Sequence, residues 1–287
     1  MPGLTTFGNE GLTFDVRERG PADGDLVVLL HGYPETKESW DAVAPALAEA
    51  GYRVLAPDQR GYSPGARPKG RRSYTVYKLV GDVLALVEAA GVTGRFHVVG
   101  HDWGGIVAWA LGGRHPERLA SLTSLTTPHP SAFARSLFTS TQLLRSWYML
   151  FYQLPVLPEL GSTTTAGRWA FERTMVRSGL APEQVARYAD GLADGAAGPA
   201  VNWYRGLPFS GRTAFGVVSG VPTLYVYASG DFALRSKAAE LTGRYVRGDY
   251  RYEVIEGASH WLPEQSPAEV TALVLSHLQS HPVASSA

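Results

Sequence analysis

Apolar positions follow two rhythms along this chain. In residues 12–18 (LTFDVRE) they alternate with polar ones, the period of a strand with one face in water. In LVVLL (26–30), YRVLAPD (52–58), FHVV (96–99) and LASLTSL (119–125) the apolar residues cluster into short runs, which predicts strands buried on both faces. Between these runs the spacing lengthens to that of helices. One extends from Trp40 to Ala50 and stops at Gly51, one covers 75–90 and closes at Gly91, and one extends from Gly104 to His115. Strands alternating with helices predict parallel βαβ units, hence an α/β fold with an open, mostly parallel twisted sheet flanked by helices.

The rhythm stops at Thr127. From there to about residue 215 no strand-like run occurs, and aromatic, Leu and Arg residues dominate. Strand–helix alternation returns with PTLYVYA (222–228), RYEVI (251–255) and a helix over 267–279. The expected organisation is a core of residues 1–127 and 216–287, interrupted by a helical cap over 128–215. Open α/β sheets bind ligands beyond the carboxyl ends of their strands, and an insertion leaving from such an end covers that site as a lid.

Composition narrows the function classes. With 26 basic and 26 acidic side chains in 287 residues, the chain lacks the basic face a nucleic-acid binder needs. It equally lacks a polybasic patch for a membrane surface. No cysteine is present, which removes disulfides, zinc thiolates and thiol nucleophiles together. No basic start followed by an apolar run marks a secretory signal, and no apolar run approaches the roughly 20 residues of a membrane span. A cytoplasmic protein is expected.

The most informative residues are Gly100-His101-Asp102-Trp103-Gly104-Gly105, which follow the buried run FHVV and open a helix. They fit the G-x-nucleophile-x-G elbow, a sharp strand-to-helix turn that lifts one side chain out of the sheet. A glycine-rich turn with a capping aspartate is the plainer alternative; the strand–turn–helix context favours the elbow. Asp at its centre, where Ser is commoner, changes the chemistry. A carboxylate attacks a saturated carbon bearing a leaving group and forms an alkyl-enzyme ester. Hydrolysis of that ester then needs a base to activate water and an acid to orient the base. Asp231, after PTLYVYA, and His260, after RYEVI, follow in the chain order nucleophile, acid, histidine.

At this point the chain resembles a known family. His31-Gly32-Tyr33-Pro34 looks like the HGxP motif of soluble epoxide hydrolases, and HGYPETKESW, PDQRGYSPGARP, GHDWGG and HPERLASL are similar to the core of that family within the α/β-hydrolase fold. Part of the likeness is shared with haloalkane dehalogenases. The resemblance implies an oxyanion hole from the amides of Tyr33 and Trp103, and a cis peptide before Pro34. It implies two further donors in the cap. Trp147-Tyr148-Met149-Leu150-Phe151-Tyr152-Gln153 maps one onto Tyr148, with Tyr152 as an adjacent alternative, and Asn202-Trp203-Tyr204-Arg205 maps the other onto Tyr204. A tyrosine, with a reference pKa near 10, can donate to an oxirane oxygen at neutral pH. His31, Pro34, Trp147, Phe151, Tyr152, Trp203 and Trp261 are the expected pocket wall.

The expected activity is therefore hydrolysis of a small apolar epoxide, with water as co-substrate, to a vicinal diol. Neither metal nor cofactor is expected, because the chemistry requires no Lewis acid and no ligand spacing is present. Dehalogenation through the same ester is the first alternative; Tyr33, where dehalogenases commonly carry Asn or Glu, weighs against it. A non-catalytic ligand-binding relative is the second, and the complete set of Asp102, Asp231 and His260 weighs against that. No serine occupies an elbow, which disfavours an esterase.

Overall fold

A computed structural model describes residues 3–211 and 214–283. Ten strands are present among them: β1 (Thr6–Asn9), β2 (Leu12–Arg19), β3 (Leu26–Leu30), β4 (Arg53–Pro57), β5 (Phe96–His101), β6 (Leu119–Leu125), β7 (Val218–Ser219), β8 (Thr223–Ala228), β9 (Val246–Arg247) and β10 (Tyr250–Ile255). Eight of them form one sheet in the order β1-β2-β4-β3-β5-β6-β8-β10. The first two pairings, β1–β2 and β2–β4, are antiparallel; the rest are parallel. This is the expected α/β architecture.

The continuous apolar runs account for the centre of the sheet. Every residue of β3, β5, β6 and β8 is buried, as sequestration between two helical layers requires. Two apolar clusters fill the two sides of the sheet, one including Phe14, Val98 and Trp109, the other including Trp40, Val99 and Leu262. β10 lies at the edge and alternates between half-buried and exposed residues.

The expected helices form, with one shift. The helix placed at 40–50 occupies only Ala44–Glu49, after a short turn over Lys37–Trp40. Pro45 explains the late start, since proline is tolerated only in a helix's first turn. β1 is an addition: four residues long and at the sheet's edge, it carries too little apolar alternation to be read from sequence. Between β6 and β7 every regular element among the described residues is helical. None of the described helices is long and apolar enough to cross a membrane.

Winding reverses between β3 and β5: from β3 the chain steps outward to β4, then returns to the other side of β3 as β5. The crevice beyond the carboxyl ends of such a pair is where open α/β sheets bind ligands. His31-Gly32-Tyr33-Pro34 leaves β3 there, and Asp102 leaves β5.

Candidate active site

The elbow is built at the end of β5. Asp102 has φ 48° and ψ −116°, and the helix Trp103–Arg114 begins with the next residue. A non-glycine residue in so sparsely populated a region costs on the order of 1–3 kcal/mol, which the surrounding structure must offset. Two glycines make the turn possible. A β-carbon on Gly104 would lie 2.1 Å from the Leu30 carbonyl oxygen, and one on Gly32 would lie 2.4 Å from the Asp102 β-carbon.

Asp102 projects one oxygen toward each neighbouring loop. Its Oδ1 accepts a hydrogen bond from the Tyr33 amide at 2.8 Å. The Tyr33–Pro34 peptide is cis, as the resemblance implies. Its Oδ2 lies 3.7 Å from His260 Nε2, an ion-pair distance rather than a hydrogen bond. His260 Nδ1 lies 2.7 Å from Asp231 Oδ2, and the other Asp231 oxygen accepts the Ala233 and Leu234 amides at 2.6 and 2.9 Å. The expected nucleophile, base and acid thus converge from the ends of β5, β10 and β8. Trp103 is the first residue of its helix, so its amide is among those a helix leaves without an internal partner.

Burial and charge set the protonation states. Burial would raise the Asp102 pKa, but the charges of His260 and His101 and the Tyr33 amide hold it below the usual carboxylate range. Burial would lower that of His260, but the Asp231 and Asp102 charges beside it raise it well above its ordinary value. The resting pair is therefore carboxylate and imidazolium.

Sequence reasoning missed a second layer behind this pair. His101, the variable residue of the elbow motif, bonds Glu35 through Nδ1 at 2.8 Å and the His260 carbonyl through Nε2 at 2.9 Å. Glu35 also accepts the Gly32 amide at 2.7 Å, so these bonds join the three loops that carry the site. Glu264 receives the Tyr188 hydroxyl at 2.6 Å. Burial and the neighbouring Glu35 charge push its carboxyl well above the ordinary range, so it keeps a proton. The signal in the sequence is position: Glu35 directly follows the HGYP turn, and Glu264 lies four residues after His260.

Tyrosines surround the nucleophile. Tyr148 lies on the helix Trp147–Phe151 and Tyr204 on the helix Ala197–Gly206, their ring centroids 6.2 Å apart and nearly perpendicular. Tyr204 stacks on Tyr152 at 4.5 Å and meets Trp103 edge-on at 4.9 Å. Burial and the Asp102 charge raise both the Tyr148 and Tyr204 phenols, which stay protonated at neutral pH. Tyr33 completes the group.

The expected pocket wall divides. Pro34 is buried in the loop beside the nucleophile, and Phe151 and Tyr152 are half-buried at the end of the helix Trp147–Phe151. Trp203 is buried edge-on to Trp103, and its indole donates to the Arg60 carbonyl at 2.6 Å. Trp261 packs edge-on to His260 at 5.0 Å and donates to the Ser178 hydroxyl at 2.9 Å. His31 supports the loop instead of presenting a group to a ligand: Nδ1 bonds the Gly32 carbonyl and Nε2 accepts the Gln59 amide. Trp147 is not pocket wall, being 64% exposed. Successive helical residues point about 100° apart, so the turn that faces Tyr148 inward faces Trp147 outward. No group of three or more His, Cys, Asp or Glu among the described residues could hold a metal ion.

Comparison with known proteins points to the same fold. A model of the alpha/beta hydrolase fold family matches residues 25–267. The chain is 34% identical to the AB hydrolase superfamily protein YfhM of Bacillus subtilis, over 94% of this chain and 96% of that one. It is 32% identical to epoxide hydrolase A of Mycobacterium tuberculosis, over 93% and 94% of the two chains. Among solved structures, an epoxide hydrolase from hot-environment metagenomes superposes with a TM-score of 0.83 at 27% identity, covering 96% of this chain and 98% of that one. An inhibitor complex of the Bacillus megaterium epoxide hydrolase superposes at 0.84 with 23% identity, over 96% and 99%, a likeness of fold. The chain belongs to the α/β-hydrolase fold family and, within it, to the epoxide hydrolases.

Proposed function

We propose that this chain opens small epoxides with water through an ester on Asp102, beneath a helical lid spanning 128–215. One arrangement carries the reading: a carboxylate held ionised by the His260 charge and the Tyr33 amide, facing two protonated tyrosines. Asp102 Oδ2 attacks one oxirane carbon as the carbon–oxygen bond breaks, and Oδ1 becomes the ester carbonyl oxygen beside the Tyr33 amide. Tyr148 and Tyr204 hold the departing oxygen and pass it a proton.

Ester formation then switches the base on. Alkylation removes the Asp102 charge, one of the two anions that raise the His260 pKa. His260 gives up its proton, which replaces the one taken by the alkoxide. The neutral imidazole, oriented by Asp231, removes a proton from water, and hydroxide adds to the Asp102 carbonyl carbon. The amides of Tyr33 and Trp103 stabilise the oxyanion, a contribution of roughly 3 kcal/mol per donor. On collapse, His260 gives its proton to the leaving alkoxide, which departs as the diol, and the proton left on the Asp102 carboxyl then returns to His260.

Halide release through the same ester would need N–H donors over the nucleophile. The indoles of Trp203 and Trp261 already have partners, which favours ring opening. Intact mass of the His260→Gln variant separates the two readings. A gain equal to a whole epoxide is expected; a gain equal to a haloalkane less hydrogen halide, with no epoxide adduct, would make the chain a dehalogenase.

A further inference from the structure

Where the chain leaves β6 for the helical layer, its backbone is strained a second time. Thr126 has φ 62°, a left-handed conformation that a β-branched residue rarely adopts. The Thr127 amide donates back to the Leu125 carbonyl at 2.8 Å, closing a three-residue turn of the rare, strained class. Such a residue costs on the order of 1–3 kcal/mol and persists only where its surroundings over-determine it. Buried neighbours do so here. The Thr126 amide donates to the Val226 carbonyl at 2.8 Å, and the Thr126 carbonyl accepts the Tyr225 hydroxyl at 2.9 Å. The Thr127 carbonyl accepts the Ser124 hydroxyl at 2.7 Å and the Trp109 indole at 2.9 Å. The turn aims the Thr127 hydroxyl at the Asp102 carbonyl, to which it donates at 2.8 Å. Gly105, which ends the run GHDWGG, makes room for this approach. A β-carbon there would lie 2.8 Å from Ser124 Oγ and 2.9 Å from Thr127 Cβ.

The Asp102 carbonyl and the Trp103 amide are the two ends of one planar peptide unit, and in a trans unit they point in opposite directions. A bond that fixes the carbonyl therefore fixes the aim of the N–H. By polarising the peptide, it also makes that N–H a stronger donor. We propose that Thr127 is a positioning residue for ester hydrolysis, its hydroxyl clamping this peptide so that the Trp103 amide meets the oxyanion formed when water attacks. This rests on the epoxide-opening reading, in which the Trp103 amide is an oxyanion donor. Thr127 acts through the peptide and bonds no reacting atom. Ring opening depends on it less, because Asp102 loses charge as it attacks and the Tyr33 amide already bonds Oδ1. In hydrolysis that oxygen regains a full charge, and a second aimed donor counts most.

The test follows single turnovers of styrene oxide, or of whichever terminal epoxide labels His260→Gln, with enzyme in saturating excess. Rapid quench with an intact-mass readout gives separate rate constants for ester formation and ester hydrolysis. Thr127→Val nearly keeps the shape and removes the hydroxyl. It is expected to slow hydrolysis about three- to tenfold, the range of one neutral hydrogen bond, with formation within about twofold of the wild type. Ester then accumulates. Thr127→Ser keeps the hydroxyl and is expected to hold hydrolysis within about twofold of the wild type. First-order rate constants do not depend on the folded fraction, so partial misfolding leaves the comparison intact. Formation slowed as much as hydrolysis, hydrolysis unchanged, or a serine variant as slow as the valine one would overturn the assignment and leave the hydroxyl a packing role. No adduct on His260→Gln with any terminal epoxide would instead overturn the epoxide reading itself, and the role of Thr127 with it.

Discussion

The sheet and the helical stretch between β6 and β7 are built on opposite principles. In the sheet, β3, β5, β6 and β8 bury every residue, and Asp102, His260 and Asp231 stand beyond the ends of β5, β10 and β8. In the helical stretch, Phe138, Leu144 and Leu150 are 87%, 76% and 73% exposed, and the helix Thr165–Arg177 buries none of its residues. Its firm anchor is the helix Ala197–Gly206, whose Trp203 bonds the Arg60 carbonyl of the core. On the proposed mechanism, charge is handled where packing is tight, because small displacements there would misalign an attack. On the proposed reading, the oxygen of the substrate is held by tyrosines of this looser layer, which has to admit and release substrate.

The sharpest way to break this comparison is at the nucleophile. Asp102→Asn is expected to reduce kcat by at least about 10⁴-fold, as losses of a covalent nucleophile do, with the folded structure retained. His260→Gln is expected to give a comparable loss in steady state while still accumulating ester. Rapid-quench kinetics with an intact-mass readout checks both. Ester on Asp102→Asn, or turnover within tenfold of the wild type, would move the chemistry away from the β5 elbow.

The core's tightness has its own test at Arg60 and Asp82. Arg60 donates to both Asp82 oxygens at 2.7 Å, with the two side chains 2% and 8% exposed. Asp82→Ala leaves the buried guanidinium only the Ser73 carbonyl and the exposed Glu10 carboxylate, both at 3.2 Å, and unfolding free energy from urea titration is expected to fall by about 3–5 kcal/mol. Burial of Asp82 raises its pKa despite the pairing, so desolvation outweighs the attraction. Replacing both residues by apolar ones of similar volume is therefore expected to cost far less than the single change. A single change costing under about 1 kcal/mol would mean that the core tolerates an unpaired charge, and the contrast between the two layers would fail there.

The same contrast explains how much of the molecule is legible in its sequence. LVVLL and TLYVYA are buried throughout, so pattern alone places them. GHDWGG is local, since its strand, turn and helix are consecutive in the chain, and Asp102 can be named on that ground. The partners of Asp102 follow from chain order. Glu35 and His101 are 66 residues apart, and no periodicity announces that they bond. In the helical stretch, short helices with mixed faces carry aromatic residues whose inward or outward aim depends on packing. Tyr148 and Trp147 are neighbours in sequence, yet one packs against the core and the other is exposed. Nothing in the sequence places Tyr62 against Trp203, because its position follows from a loop after β4 meeting the helix Ala197–Gly206.

The tyrosines test whether the loose layer takes part in the chemistry. Tyr148→Phe and Tyr204→Phe are each expected to lower kcat about 10²–10³-fold, within the range for losing one proton donor, with Tm shifts of no more than about 2 °C. The double variant is expected to form almost no ester. Stopped-flow tryptophan fluorescence under single-turnover conditions follows ester formation directly. If each change altered KM alone, the helical layer would only bind substrate, and the contrast would sharpen into one between catalysis and binding.

The smallest expected effect concerns the joint within the helical layer. Arg205 bonds both oxygens of Glu159, at 2.6 and 3.0 Å, and donates to the Tyr152 carbonyl at 3.0 Å. It thereby fastens the end of the helix Trp147–Phe151 to the helix Ala197–Gly206, and Tyr148 and Tyr152 to Tyr204. The pair resembles Arg60–Asp82 in its two-pronged geometry but is more exposed, at 13% and 24%. Water solvates a charge left behind there, so Glu159→Gln is expected to cost only about 0.5–1 kcal/mol, a Tm drop of about 2 °C by calorimetry. Because Arg205 keeps its bond to Tyr152, ring opening is expected to slow less than about threefold. A loss of stability equal to that of Asp82→Ala would show that the helical layer is held as rigidly as the sheet, and its exposed apolar residues would then need an explanation other than looseness. A loss of activity without a loss of stability would place the function of this ion pair in aligning the tyrosines, with no part in holding the fold.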